Sequence, residues 1–231
     1  MANLGILGGT FDPIHKGHTE PAKVVADYLS LDKILFIPAS IPPHKATPNV
    51  SAKQRAEMVK LACLNEANFY CDQRELERSG NSYTVDTLKA LKQSDATQRL
   101  FFIIGLDSLL TFTRWHQYQE ILSLCHLVVN SRPNHQLDNL NADTKSMLAK
   151  HQLNDLSALK KQDCGGIIFA PSTIEDLQTS KDQMQLSSCE GKINLNISST
   201  DIRARLAKKQ NCQHLIADSV LDFINKNQLY R

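Results

Sequence analysis

Short, almost wholly apolar segments alternate along the chain with longer segments in which apolar residues recur at helical spacing. The apolar segments predict strands with both faces covered, because such strands show little polar alternation. The predicted strands are residues 3–8, 33–38, 68–71, 100–104, 127–130, 167–170 and 193–197. The amphipathic segments predict helices over residues 18–30, 51–64, 84–93, 106–123 in two pieces, 198–208 and 218–226.

This alternation predicts an α/β fold: a doubly wound, mostly parallel sheet with helices on both faces, of Rossmann-like type. In such sheets ligands bind outside the carboxyl ends of the strands, where the strand order reverses. We therefore expect the loops after the first, second, fourth, fifth and last strands to converge. We interpret residues 1–231 as a single domain; residues 135–163, polar and weakly helical, and 172–192 carry no motif.

Composition narrows the class of protein. The formal net charge is +2, which indicates no general attraction to nucleic acid or acidic membranes, so an anion site must be local. No segment approaches the roughly 20 apolar residues of a membrane span, and the first residues show no signal-peptide pattern. The six cysteines are scattered without a CxxC pair, which indicates reduced thiols and a cytoplasmic protein.

The segment from Gly8 to His18 joins the first strand to the first helix and has the chemistry of a phosphate site. Glycines let a ligand approach the backbone, and a helix start presents N–H groups to an anion. His15 and His18 lie three residues apart, so their rings share one side of a helical turn, and Gly17 leaves space for a ligand. The alternatives are two histidines that only cap the helix, and a zinc site for which no third ligand is evident.

A second segment, residues 196–203, has similar chemistry near the end of the chain. Consecutive hydroxyl residues open a helix, and Arg203 follows within its first turn. Hydroxyls, backbone N–H groups and a guanidinium all bind phosphate oxygens. The alternative is simple helix capping beside a solvated arginine.

Other parts of the chain also carry candidate chemistry. His44 and Lys45 follow the second strand in a proline-stiffened loop, whose alternative is a solvated surface turn. Asp107 follows the fourth strand, where a carboxylate can hold ribose hydroxyls. Trp115, the single tryptophan, is either a core residue or a stacking platform. A helix start near residues 82–84 favours a carboxylate ligand.

The segments 8–18 and 197–203 together resemble the nucleotidyltransferase superfamily with the HxGH signature. Within it, residues 41–45, 82–88, 104–112, Trp115 and 131–133 are similar to the nicotinate-nucleotide adenylyltransferases, bacterial enzymes of NAD synthesis. The resemblance extends from residue 4 to the end of the chain. It implies transfer of the adenylyl group of ATP to nicotinate mononucleotide, with Mg²⁺, giving nicotinate adenine dinucleotide and pyrophosphate.

The resemblance also implies roles for the candidate residues. The expected ATP-binding residues are Gly8, Gly9, Thr10, His15, His18, Ser199, Thr200 and Arg203. Of these, His15, His18 and Arg203 are the expected catalytic residues, and His18 stabilises the transition state. The expected residues for the mononucleotide are His44, Lys45, Tyr83, Thr84, Asp107 and Trp115. Residues 198–231 would form a C-terminal helical part that completes the phosphate site, and no protein side chain is assigned to the metal.

Other functions remain open at this stage. A related adenylyltransferase would act on nicotinamide mononucleotide or phosphopantetheine, and a non-enzymatic module would bind a nucleotide without turning it over. Trp115 and the helix start at Tyr83 favour a flat, anionic acceptor. We expect no nucleic-acid or membrane partner, and the sequence leaves the oligomeric state open.

Overall fold

The centre of the fold is a six-stranded sheet. The structure, a computed structural model, describes residues 2–40, 50–78, 80–130, 140–159, 161–171 and 197–231. The strands are β1 (Asn3–Gly9), β2 (Lys33–Pro38), β3 (Phe69–Cys71), β4 (Arg99–Gly105), β5 (His126–Asn130) and β6 (Ile167–Ala170). They lie in the order β3-β2-β1-β4-β5-β6, and every neighbouring pair is parallel.

Helices connect these strands. They are α1 (Lys16–Leu29), α2 (Ala52–Cys63), α3 (Thr84–Ser94), α4 (Leu106–Leu109), α5 (Tyr118–Leu124), α6 (Ala142–His151), α7 (Leu156–Leu159), α8 (Ser199–Ala207) and α9 (Asp218–Lys226). A short 3₁₀ helix, Phe112–Arg114, separates α4 from α5, which confirms the predicted break there. The predicted α/β class with a parallel sheet is confirmed.

Two helix starts differ from the prediction. Helix α1 begins at Lys16, not at residue 18, so Pro21 lies inside the helix and not in its first turn. Helix α9 is capped by Ala217, with Asp218 as its first residue. The predicted segment 135–163 contains α6 and α7 in its described part, whereas residues 172–192 and most of the predicted strand 193–197 lie outside the described residues.

Burial on both faces of the sheet explains why its strands read as continuous apolar runs. Successive residues of β4 pack into different clusters: Phe101 and Ile103 on one face, Phe102 and Ile104 on the other. Each of these four side chains is buried. Because side chains alternate between faces, an apolar residue is needed at every position of the strand.

The strand order reverses between β1 and β4, which are neighbours in the sheet but far apart in sequence. Ligands of open α/β sheets bind in the crevice beyond the carboxyl ends of two such strands. The segment after Gly9 and the segment after Gly105 are therefore the two walls of the expected site. Among the described helices, none is long and apolar enough to cross a membrane.

Candidate functional site

The turn between β1 and α1, residues 10–15, is tightly packed. Phe11 is buried and has a φ of 49°, a left-handed conformation that is unusual for a residue with a side chain. Its ring packs edge-on against His18, with 5.1 Å between the ring centroids, and against Phe36 of β2. Burial of this ring holds the turn in place below the start of α1.

His15 and His18 face the same side of the turn, as predicted. Their rings stack with centroids 3.8 Å apart, and His15 is the N-cap residue of α1. The backbone N–H of His15 donates to Nδ1 of His18 over 3.3 Å. A neutral imidazole that accepts at Nδ1 carries its hydrogen on Nε2. Nδ1 of His18 therefore serves the helix cap, whereas Nε2–H of His18 is the donor that the phosphate interpretation requires.

The reason for a glycine at position 17 differs from the expected one. A Cβ at Gly17 would lie 3.0 Å from two atoms of the His15 ring and 3.3 Å from Cβ of Ile197. The missing side chain thus lets the His15 ring and Ile197 pack close to the backbone of residue 17. From the sequence, we expected a ligand in that space. Ile197 directly precedes α8, so Gly17 permits close approach of the two predicted phosphate segments.

Hydrogen bonds join the turn to the C-terminal segment. The Ser199 hydroxyl donates to the carbonyl of Pro13 over 3.0 Å. The backbone N–H of Lys16 donates to the carbonyl of Leu215 over 2.9 Å. Two segments almost two hundred residues apart therefore meet, as the paired motifs predict.

The start of α8 combines capping with exposed donors. The Ser198 hydroxyl accepts the backbone N–H of Asp201, which confirms capping for this serine. Ser199 and Thr200 occupy the first two helical positions, where backbone N–H groups have no acceptor within the helix. Since the Ser199 hydroxyl donates to Pro13, the backbone N–H of Ser199 is the donor that the predicted phosphate role would require.

Arg203 is held in a defined direction rather than solvated. Its Nη1 donates to the backbone carbonyl of Asp12 over 2.7 Å, and its Nη2 donates to Oγ1 of Thr200 over 3.2 Å. The side chain is 35% exposed, and a guanidinium has five N–H groups. These contacts bring a cation to the place where the turn meets α8.

Sequence reasoning missed Arg55, which is 1% exposed and belongs to α2. Its Nη1 donates to the carbonyl of Thr10 over 2.6 Å, and its Nη2 donates to the carbonyl of Ser40 over 3.1 Å. Burial lowers the pKa of its guanidinium, and nearby Asp12 acts in the opposite direction. Arg55 thus ties the turn after β1 to the segment after β2. Arg55 lies three and four residues before the buried Met58 and Val59, on the same face of α2. A charged residue at this apolar spacing was the available sequence signal.

The other wall of the crevice contains aromatic rings. Tyr83 is the N-cap residue of α3, and its ring lies 4.5 Å from that of His116 between centroids. Trp115 is half-buried and packs against Phe102 and Phe112, so part of its ring belongs to the core. Tyr83 and Trp115 therefore pack against the same core cluster, which contains Phe102 and Ile104 of β4.

A hydrogen bond and a glycine position two groups of this second wall. The backbone N–H of Ser40 donates to the hydroxyl of Ser82 over 3.0 Å, which links the segment after β2 to the start of α3. Asp107 is exposed in the first turn of α4, and its Oδ1 lies so close to Gly105 that a Cβ at that position would collide with it. Gly105 thus lets the carboxylate fold back over the end of β4. The predicted residues His44 and Lys45 lie outside the described residues.

The part of the chain that the structure describes contains no group of three or more His, Cys, Asp or Glu side chains suited to a metal ion. The five cysteines within it form no disulfide. The turn after β1 and the start of α8 present N–H donors, imidazoles and a guanidinium, all of which suit phosphate.

Comparison with known proteins bears on this arrangement. The model of the cytidylyltransferase-like family matches residues 6–205. The chain is 40% identical over 228 residues to the probable nicotinate-nucleotide adenylyltransferase of Psychromonas ingrahamii, covering 99% of this chain and 97% of the relative. It is 37% identical over 227 residues to the nicotinate-nucleotide adenylyltransferase of Salmonella typhimurium, covering 98% and 97%.

A solved structure has the same fold at lower sequence identity. The Plasmodium falciparum nicotinic acid mononucleotide adenylyltransferase complexed with NaAD has a TM-score of 0.67 and 21% identity, covering 100% of this chain and 98% of that one. The likeness extends over both the turn after β1 and the C-terminal helices. It supports the whole arrangement of the sheet and its flanking helices.

Proposed function

The chain belongs to the nicotinate-nucleotide adenylyltransferase family, and on this premise we propose that it transfers the adenylyl group of ATP to nicotinate mononucleotide. The products are nicotinate adenine dinucleotide and pyrophosphate, in the synthesis of NAD. The observation that carries the proposal is the contact between the turn of His15 and His18 and the start of α8, through Ser199 and Arg203. This contact forms one phosphate site from the two ends of the chain.

The reaction requires positioning and charge stabilisation more than proton transfer. The attacking group is a phosphate oxygen of the mononucleotide, which is already ionised at neutral pH, so no general base is needed. Two polyanions must be brought into line while negative charge develops on the α-phosphate and on the leaving pyrophosphate. Fixed N–H donors suit this task, because they need no reorganisation as the charge develops.

The proposed ATP contacts follow from the donors in the turn and in α8. Backbone groups of Gly8, Gly9 and Thr10 lie along the nucleotide. The Nε2–H of His18 donates to a phosphate oxygen while its Nδ1 stays bonded to His15, and this orientation is supported by the observed cap. The N–H groups at the start of α8 and the guanidinium of Arg203 bind the β- and γ-phosphates.

The proposed acceptor site uses the other wall. The N–H groups at Tyr83 and Thr84 bind the nicotinate carboxylate, because the start of α3 favours an anion. Trp115 stacks on the pyridine ring, and Asp107 binds a ribose. Its position beside Gly105, at the end of a central strand, supports that role.

We propose Mg²⁺ as the cofactor, bound through ATP phosphate oxygens and water, because this ion prefers oxygen ligands and keeps several waters. The nitrogen-rich turn suits phosphate rather than the ion itself, since His15 and His18 are poor ligands for Mg²⁺. When bound, the ion would neutralise charge on the phosphates. A cytoplasmic location and the absence of nucleic-acid partners stay predictions.

A pyrophosphate-release assay tests the proposed function. The purified chain is given ATP with nicotinate mononucleotide, nicotinamide mononucleotide or phosphopantetheine. We expect the fastest release with the nicotinate form. Release only with phosphopantetheine would assign a different acceptor, and no release with any acceptor would favour a nucleotide-binding module.

A further inference from the structure

A carboxylate lies directly below the phosphate site. Asp12 is 8% exposed, and its Oδ1 accepts a hydrogen bond of 2.6 Å from the hydroxyl of Tyr230. The same residue contacts Arg203 through its backbone carbonyl, 2.7 Å from Nη1. Asp12 therefore touches a residue of the proposed ATP site and a residue 218 positions later in the chain.

The carboxylate of Asp12 does not form a close pair with Arg203. Its Oδ2 lies 3.8 Å from Nη1, beyond hydrogen-bond distance. A carboxylate and a guanidinium prefer two parallel, charge-assisted hydrogen bonds when both oxygens are accessible. Here the hydrogen bond from Tyr230 fixes the direction of the carboxylate, and in this direction Oδ2 stays too far from Nη1 for such a bond.

Packing and protonation both favour Tyr230 as the hydrogen-bond donor to Asp12. Its ring packs against the core cluster that contains Phe11 and Ile14, and its φ of 61° turns the backbone sharply after α9. Burial, followed by the hydrogen bond to Asp12, raises the pKa of the Tyr230 hydroxyl well above its usual range. The hydroxyl therefore stays protonated and acts as a donor.

We propose that Tyr230 is a positioning residue for Arg203. Its hydroxyl fixes the direction of the Asp12 carboxylate and so keeps Oδ2 beyond hydrogen-bond distance of the guanidinium. The guanidinium keeps its bonds to the Asp12 carbonyl and to Thr200, and its remaining N–H groups stay available to ATP. This role rests on the proposed function, since it assumes that Arg203 binds the phosphates of ATP.

The Tyr230→Phe variant removes the hydroxyl and keeps the ring. We expect kcat/KM for ATP to fall roughly tenfold, as for the loss of one charge-assisted hydrogen bond to a phosphate. KM for the mononucleotide should stay unchanged. Tyr28→Phe is the matched control, because Tyr28 is also half-buried against the same cluster. A Tyr230→Phe enzyme with the kinetics of the Tyr28→Phe enzyme would overturn the proposal.

Two backgrounds separate positioning from a merely structural role. In Arg203→Ala, the added Tyr230→Phe change should leave kcat/KM for ATP unaltered, because the residue to be positioned is gone. In Asp12→Asn, the added change should also have little effect, because an amide cannot form the competing two-bond pair. A full tenfold loss in either background would contradict the proposal.

The same assays distinguish this inference from the proposed function. Wild-type enzyme that releases no pyrophosphate from ATP and nicotinate mononucleotide would refute the function itself. Wild-type release with a Tyr230→Phe effect that is independent of Arg203 would refute only the positioning role.

Discussion

Replacing His18 tests whether its ring serves catalysis, helix capping, or both. Nδ1 of His18 accepts the N–H of His15, so truncation to alanine removes a cap contact as well as the imidazole. Loss of a cap costs about 1 kcal/mol, which lowers Tm by roughly 2–4 °C in a chain of this size. Loss of one donor to the developing charge costs about 2.7–4 kcal/mol, or roughly two to three decades in kcat.

Three substitutions separate these effects. Alanine provides neither the acceptor nor the donor, glutamate provides only the acceptor, and glutamine provides both in uncharged form. This chain already uses the glutamine arrangement, because Oε1 of Gln54 accepts the N–H of Ser51 at the start of α2 over 3.2 Å. We therefore expect His18→Glu and His18→Gln to melt close to the wild type, and His18→Ala to melt lower.

Activity should follow the donor rather than the cap. His18→Ala and His18→Glu should lose roughly two to three decades in kcat, and His18→Gln should lie between them and the wild type. Thermal melting and pyrophosphate release measure the two effects on the same samples. Gln54→Ala is the control, since it removes a cap at a residue to which we assign no substrate contact, and it should lower Tm without lowering kcat. If kcat followed Tm across the series, or if His18→Glu kept wild-type turnover, the catalytic role would be refuted.

Three other predictions concern buried groups and selectivity. Arg55→Met leaves the carbonyls of two half-buried residues without their donor, and it should lower the free energy of unfolding, measured in urea, by about 3 kcal/mol. The exposed control Lys53→Met should not, and equal stabilities would contradict the bridging role. Burial lowers the pKa of His126 from 6.5 to about 4. Between these values the unfolded chain binds more protons, so the free energy of unfolding should fall by up to about 3 kcal/mol as pH is lowered through this window, and His126→Phe should lack that part of the slope. If the start of α3 binds the nicotinate carboxylate, nicotinate mononucleotide should exceed the amide form by at least roughly tenfold in kcat/KM, whereas equal use would contradict that assignment.

The strands were predictable because a strand covered on both faces has a continuous run of apolar residues in the sequence. Both β2 and β6 have the predicted bounds, Lys33–Pro38 and Ile167–Ala170. Each strand is covered on both faces, so its apolar run ends where the burial ends. The parallel arrangement of the strands then follows from the alternation of strands and helices, whereas the order β3-β2-β1-β4-β5-β6 was not predicted.

The start of α1 was misplaced because its cap is unusual. Serine, threonine, aspartate and asparagine are the expected N-cap residues, whereas here His15 has that position and His18 provides the reciprocal acceptor. From the sequence, helix capping by the two histidines was only the alternative to a ligand site, and the structure shows the capping contact. The two roles are compatible because an imidazole has two nitrogens.

The supporting contacts of the site were not predictable from local sequence. Arg55 reaches Thr10 and Ser40, and Tyr230 reaches Asp12, over separations of 15 to 218 residues. Periodicity describes which face of an element is buried, but it does not identify the partner of a buried polar group. The paired phosphate segments were predictable only because both carry anion-binding chemistry of their own.

The fate of a labelled phosphate tests the central claim most directly. ATP labelled with ³²P at the α-phosphate is incubated with nicotinate mononucleotide and the purified chain, and the products are separated. A phosphate site built from both ends of the chain for adenylyl transfer predicts that the label enters the dinucleotide while the released pyrophosphate carries none. Label that remains in ATP, or that appears only in AMP or ADP, would contradict the account.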